Sequence, residues 1–140
     1  MLMKFKIVTP DGVIYEDEIE SVSLPTTIGE ITVLPHHIPL ISVIKIGEIR
    51  IVKGNHEVGV AVSSGVLEVR ETNEVIVIAD TAERAEHIDI ERAEAARKRA
   101  EELMKQEKFE DDRQFAMLQA QMEKELTRIK VGKKYKNISI

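Results

Sequence analysis

The sequence predicts a β + α chain: an antiparallel β-sandwich or barrel over residues 1–84, then an antiparallel two-helix hairpin over residues 85–140. Three observations carry this. Through roughly the first 80 residues, apolar side chains come in short, partly alternating runs broken by Gly, Pro and Asn. Beyond residue 86 they recur at three and four, with no Pro and a single Gly. Between the two lies His87-Ile88-Asp89-Ile90-Glu91-Arg92-Ala93, which has the composition of a helix start.

The strands follow in order. Lys4-Phe5-Lys6-Ile7-Val8 runs into Thr9-Pro10-Asp11-Gly12, where Pro presets φ and Gly accepts positive φ, and Val13-Ile14-Tyr15 returns. Residues 18–24 read as one partly alternating run ended by Pro25; residues 31–34 stop at Pro35; residues 40–44 resume after Pro39. Residues 46–52 join 58–62 across Lys53-Gly54-Asn55-His56, and 66–69 and 75–78 complete the set. Turns spaced this closely are what a sandwich or barrel produces, whereas a parallel α/β sheet would need helices between the strands.

In the second half, Asp89 is the N-cap, its carboxylate taking up an unsatisfied amide of the first turn, and Glu91 suits the positive end of the helix dipole. Ala93, Ala96, Ala100 and Leu103 form the stripe of the first helix. Phe115, Leu118, Met122, Leu126 and Ile129 form that of the second, which Asp111 or Asp112 caps. The polar segment 105–110 turns the chain back. An alanine stripe buries little area per residue, so the pair is marginal alone and a candidate for opening.

Charge spacing singles out four cations. Lys98 lies four residues from Glu94 and Glu102, and Arg97 four from Glu101, as on any salt-bridged helix face. Arg92 and Arg99 have no acid at i±4 and, seven apart, project from nearly the same side. Lys124 and Arg128 stand four apart, a spacing that repels mildly unless an anion lies between them. Each helix therefore offers two underused cations.

Length and charge bound the function. A chain of 140 residues supports one real core plus an appendage. The formal charge of -5 is uneven: residues 1–85 carry 7 basic and 13 acidic side chains, residues 86–140 carry 13 and 12. That gives nucleic-acid binding little support. The absence of Cys removes disulfides and thiolate chemistry. No signal peptide and no apolar run of spanning length is read, so a membrane link is expected through a partner. Adjacent His36 and His37 lack metal-ligand spacing, and no G-x-x-x-x-G-K-[ST] loop supports a free-standing ATPase. The basic tail Lys130, Lys133, Lys134 and Lys136 reads as solvated.

Four stretches carry a resemblance. Gly29-Glu30-Ile31-Thr32-Val33-Leu34-Pro35-His36-His37-Ile38-Pro39-Leu40, Ser64-Gly65-Val66-Leu67-Glu68-Val69, Ala79-Asp80-Thr81-Ala82 and Ile88-Asp89-Ile90-Glu91-Arg92-Ala93 resemble, in order and spacing, the signature stretches of the epsilon subunit of bacterial F-type ATP synthases. The likeness runs over essentially the whole chain. It implies a ten-stranded β-sandwich followed by two helices, in a non-catalytic rotor subunit of the central stalk. Its partners would be the gamma subunit and the c-subunit ring, with no nucleic acid and no direct membrane insertion. The location implied is peripheral, on the cytoplasmic side of the bacterial cell membrane, in a proton- or sodium-translocating enzyme.

The resemblance also implies a switch, in which the hairpin either folds on the sandwich or extends along gamma toward the alpha and beta subunits and impedes ATP hydrolysis. ATP, with or without Mg2+, would favour the folded form at Ile88, Asp89, Arg92 and Ala93, with cations at Arg99, Lys124 and Arg128. Lys124 stands where ATP-binding relatives have arginine, replacing a planar fork by a point charge. Glu30 and His37 would face the c ring, and His36 stands where the usual pattern has glycine. Read without the family, Asp89 is a helix cap, the four cations are solvated charges, and the chain is a β-sandwich adaptor with a helical interaction arm and no nucleotide sensing.

Overall fold

The computed structural model describes residues 1–106 and 112–136. Ten strands come first: β1 (Met3–Thr9), β2 (Gly12–Ile19), β3 (Ser21–Thr26), β4 (Gly29–Val33), β5 (Leu40–Ile44), β6 (Gly47–Lys53), β7 (His56–Val62), β8 (Gly65–Val69), β9 (Glu74–Ala79) and β10 (Ala82–Arg84). A 3-10 turn at Ala85–His87 leads to helices α1 (Ile90–Gln106) and α2 (Asp112–Lys136). The β-sandwich with a following helical pair is thus present.

Period-two alternation builds the core. Along β1, Met3, Phe5, Ile7 and Thr9 are buried while Lys4, Lys6 and Val8 turn away. The strand order is β10-β7-β6-β3-β5-β8-β9-β1-β2, with β4 on the free side of β3. A single pair, Thr26 with Ile44, joins β3 to β5. The sheet folds over at that point, and its two layers enclose Phe5, Ile7, Leu24, Ile49, Ile51 and Leu67.

Several details depart from the sequence reading. The single run over 18–24 is broken at Glu20, whose carboxylate accepts the Gly54 amide at 3.0 Å while its own N–H donates to Val52. Strand β3 continues through Pro25, whose carbonyl still accepts the Lys45 amide at 3.0 Å, so the ladder is served from its acceptor side. Strand β10 carries no apolar run and exists by pairing with β7. The β1 and β9 pair is parallel, and every other pairing is antiparallel. His36 holds φ 64°, the left-handed region that a glycine would favour. Its N–H donates to Asn73 Oδ1 at 2.8 Å, and Asn73 Nδ2 donates to the Leu2 carbonyl at 2.9 Å, so this turn is tied to the β8–β9 turn.

The helices pack together, and α2 lies against the outer face of the β6–β7 layer. Ala93 and Ala100 are buried as expected and Ala96 is half-buried, but Leu103 is exposed. On α2, Leu118, Met122 and Ile129 are half-buried, whereas Phe115 and Leu126 are exposed. The physical reason is that α2 serves two neighbours at once. Its contact face widens to include Glu125, Val131 and Tyr135, and Val131 and Tyr135 cluster with Ala61 and Ala85. Gly132 lets α2 cross close to the start of α1, since a Cβ there would lie 3.0 Å from Ile90 Cγ1 and 3.2 Å from Ile88 Cγ2. Most of the expected connection over 105–110, and the capping side chains of Asp111 and Asp112, lie outside the described residues. No helix among the described residues is long and apolar enough to cross a membrane.

Candidate ligand and docking surfaces

The start of α1 is built as its sequence requires. Asp89 Oδ1 accepts the Arg92 amide at 3.1 Å, and the Asp89 carbonyl accepts the Ala93 amide at 3.0 Å, so Asp89 is the N-cap. Around it lies a hollow of about 370 Å³, with Ile88, Asp89, Ile90 and Glu91 on one side and Gly132, Tyr135 and Lys136 on the other. Ala93 is fully buried against the second helix side of this junction, while Asp89 is exposed.

A second hollow, of about 320 Å³, lies between α2 and the β7–β10 edge, lined by Ser63, Thr81, Glu83, Lys124, Thr127 and Arg128 among others. Here the expectation of a free Arg128 is corrected. Its Nε donates to Glu83 Oε2 at 2.8 Å, its Nη2 to Glu83 Oε1 at 3.3 Å, and its Nη1 to Glu125 Oε2 at 2.9 Å. Burial alone would lower the Arg128 pKa; the Glu83 and Glu125 carboxylates outweigh it and hold the guanidinium above its ordinary value. Glu125 stands at i−3, outside the i±4 spacing tested in the sequence, and Glu83 is forty-five residues away. Likewise Glu94 pairs with Lys133 of α2 at 3.2 Å and not with Lys98. A helix face reads its charges locally, but the partner element decides them.

Arg92, Arg99 and Lys124 make no ion pair among the described residues; the first two are exposed and Lys124 is half-buried. The two hollows share no lining residue. The fold therefore brings Ile88 and Asp89 together at one, Lys124 and Arg128 at the other, and leaves Arg92 and Arg99 on the open surface of α1. Among the described residues no group of His, Asp and Glu is arranged to hold a metal ion.

On the sandwich, Glu30 is the second residue of β4 and His37 lies in the loop that follows the strand. The Glu30 carboxylate is ion-paired with Arg50, and His37 Nδ1 lies 2.6 Å from the Ile38 carbonyl. Large apolar side chains flank both, with Ile28, Leu34 and Ile38 exposed.

A surface that the sequence reading did not single out runs across the second layer. Val43 pairs with Val66, Val66 with Ile78, Ile78 with Val8 and Val8 with Val13, a register row over β5, β8, β9, β1 and β2. Val43, Val66, Ile78 and Val13 are exposed and Val8 is half-buried, so this apolar row points away from the core. Its signal was present in runs such as Val75-Ile76-Val77-Ile78, where apolar residues fill both phases of the strand and not the inward one alone.

Comparison with known proteins places the chain. Residues 2–85 match the family described as ATP synthase, Delta/Epsilon chain, beta-sandwich domain, and residues 86–133 the long alpha-helix domain of the same chain. The ATP synthase epsilon chain of Anoxybacillus flavithermus is 50% identical over 71% of this chain and 73% of its own length. That of Bacillus mycoides is 41% identical over 90% and 92%. Among solved structures, a chain of the Euglena gracilis mitochondrial ATP synthase aligns with a TM-score of 0.74 at 19% identity, covering 87% of this chain and 76% of that one. A chain of the Tetrahymena thermophila mitochondrial central stalk and c-ring assembly aligns with 0.67 at 10%, covering 93% and 96%. At such low identity these two speak to the fold alone, whereas the matched domains and bacterial relatives show that the chain belongs to the ATP synthase delta/epsilon family, as a non-catalytic epsilon subunit.

Proposed function

We propose that this chain works as a rotor subunit of the central stalk, docking on gamma through the β5-β8-β9-β1-β2 face and on the c-subunit ring through the loops around Glu30 and His37. The observation that carries this is the outward apolar row from Val43 to Val13. The two outer faces of the sandwich are used differently: the chain's own α2 lies on the β6–β7 side, while the opposite layer leaves a row of valines and an isoleucine in water. An ordered apolar stripe of that kind marks a docking face. Replacing Val66 and Ile78 by Asp tests it. Capture of gamma should fall at least tenfold while the melt stays cooperative; undiminished capture by the folded variant would sink the assignment. The place of action that follows is the cytoplasmic face of the bacterial membrane, reached through the ring.

The finer part of the reading is that the hairpin restrains ATP hydrolysis when extended toward the alpha and beta subunits, and that ATP favours its folded form. Support comes from the uncompensated charge of Arg92, Arg99 and Lys124 and from the hollows at Ile88–Asp89 and Lys124–Arg128. Two carboxylates already occupy Arg128, so a polyphosphate has to displace them, and Lys124 supplies only a point charge beside it. Asp89 would accept from the adenine amino group, and Arg92, Arg99, Lys124 and Arg128 would face the phosphates. Calorimetric titration of the full chain with ATP should show saturable binding at micromolar to millimolar concentration, lost in Arg92→Ala and strengthened in Lys124→Arg. Absence of heat at millimolar ATP removes nucleotide sensing and leaves the rotor reading intact. Deleting residues from 88 onward in the assembled enzyme should raise ATP hydrolysis.

A further inference from the structure

We propose that the last turns of α2 carry a latch, Tyr135 seated on Gly59 and tied to Glu48 and Glu57, whose release is what frees the hairpin from the sandwich. Gly59 lies inside β7, and a Cβ built on it would come within 2.1 Å of Tyr135 Cε2 and 2.5 Å of its Cζ. The seat therefore exists only because that residue has no side chain. Tyr135 is 7% exposed, and its hydroxyl donates to Glu48 Oε1 at 2.8 Å with Glu57 Oε1 at 3.1 Å. Lys134 donates to the same Glu48 oxygen at 2.9 Å, and its ammonium lies 5.2 Å from the Tyr135 ring centroid. One phenol proton serves one carboxylate at a time, and the adjacent ammonium offsets the charge of the pair. Burial, and then the glutamates, push the phenol's pKa up, so it keeps its proton.

Around this seat the other ties of α2 to the sandwich are smaller or polar. Val131 meets Ala61 and Ala85, and Arg128 reaches Glu83. Lifting α2 thus means first withdrawing one ring from a glycine-shaped seat, with or without nucleotide. The inference rests on the reading that the hairpin opens; Tyr135 also borders the Ile88–Asp89 hollow, but it is none of the four cations assigned to the phosphates.

The full chain, which has no cysteine of its own, can take two spin labels at Thr72→Cys and Gln119→Cys, both exposed positions. In the parent the distance distribution should be single, and opening is read as a second population at a different distance. Tyr135→Ala should raise the ratio of open to closed chains roughly tenfold or more, the range expected for losing a buried aromatic, and Tyr135→Phe roughly two- to fivefold. Gly59→Val should open the parent but add nothing to Tyr135→Ala, because both remove one contact. A Tyr135→Ala chain that stays as closed as the parent overturns the latch, as does an additive effect of Gly59→Val. If Gly59→Val disrupts the sandwich itself, visible as a lost cooperative melt, the two Tyr135 variants decide alone. Opening by Tyr135→Ala without any change in ATP hydrolysis by the assembled enzyme keeps the latch and refutes the inhibitory arm instead.

Discussion

The sandwich and the hairpin are held by different physics. In the sandwich, Phe5, Ile7, Leu24, Ile51 and Leu67 are lost to solvent almost completely and interlock between two layers. The hairpin buries Ala93, Ala100, Val131 and Tyr135, with a charged Glu125 among them, and its ties to neighbours include the ion pairs of Arg128 and Lys133. Burial of large side chains is worth more per residue than alanine contacts, and partly exposed ion pairs are worth little. Stability is therefore concentrated in the sandwich, and the hairpin is attached by contacts that can be exchanged.

The largest expected effect tests the sandwich. Leu67→Ala should cost about 2–5 kcal/mol, read from denaturant unfolding, because it opens a cavity in a closed core. Leu126→Ala, on exposed α2 surface, should stay within about 0.5 kcal/mol. Equal costs would erase the contrast between the two regions. Next, a chain ending after Arg84 should keep a cooperative melt with its midpoint lowered by about 5 °C, the shift expected when only a small contact layer is lost. An ANS-binding, non-cooperative product would mean that the helices complete the core.

Smaller effects sharpen the comparison within each region. Asp89→Ala should cost about 1 kcal/mol, seen as faster amide exchange in the first turn of α1, since the Arg92 amide loses its acceptor. Exchange unchanged there would show that the cap carries no stability. The smallest is His36→Gly, where relief at φ 64° outweighs the added freedom of the unfolded chain only slightly, for a gain below about 1 kcal/mol. A loss there would mean that the His36 ring makes a stabilising contact, since the Asn73 bond uses the backbone N–H that glycine keeps.

What could be read in the sequence is what depends on neighbours along the chain. Alternation in Met3–Thr9, the turns at Gly and Pro, and the three-and-four recurrence of Ala93, Ala96 and Ala100 arise from backbone geometry that each segment imposes on itself. The cap at Asp89 is likewise a contact over three residues. The two-part architecture, and the resemblance carried by four ordered stretches, followed from those local signals.

Tertiary structure alone decided the rest, because each such feature joins residues far apart in the chain. Strand β10 has no pattern of its own and forms because β7 offers it an edge. Arg128 looked free until Glu83 came alongside, and Lys98 looked paired until Lys133 took Glu94. The apolar row from Val43 to Val13 needs five strands in register before it is a surface at all. Gly59 reads in sequence as a weak strand residue; only when Tyr135 is laid over it does the missing side chain acquire a meaning. Local geometry fixes where a side chain can point, and the packing of distant elements fixes what it meets there.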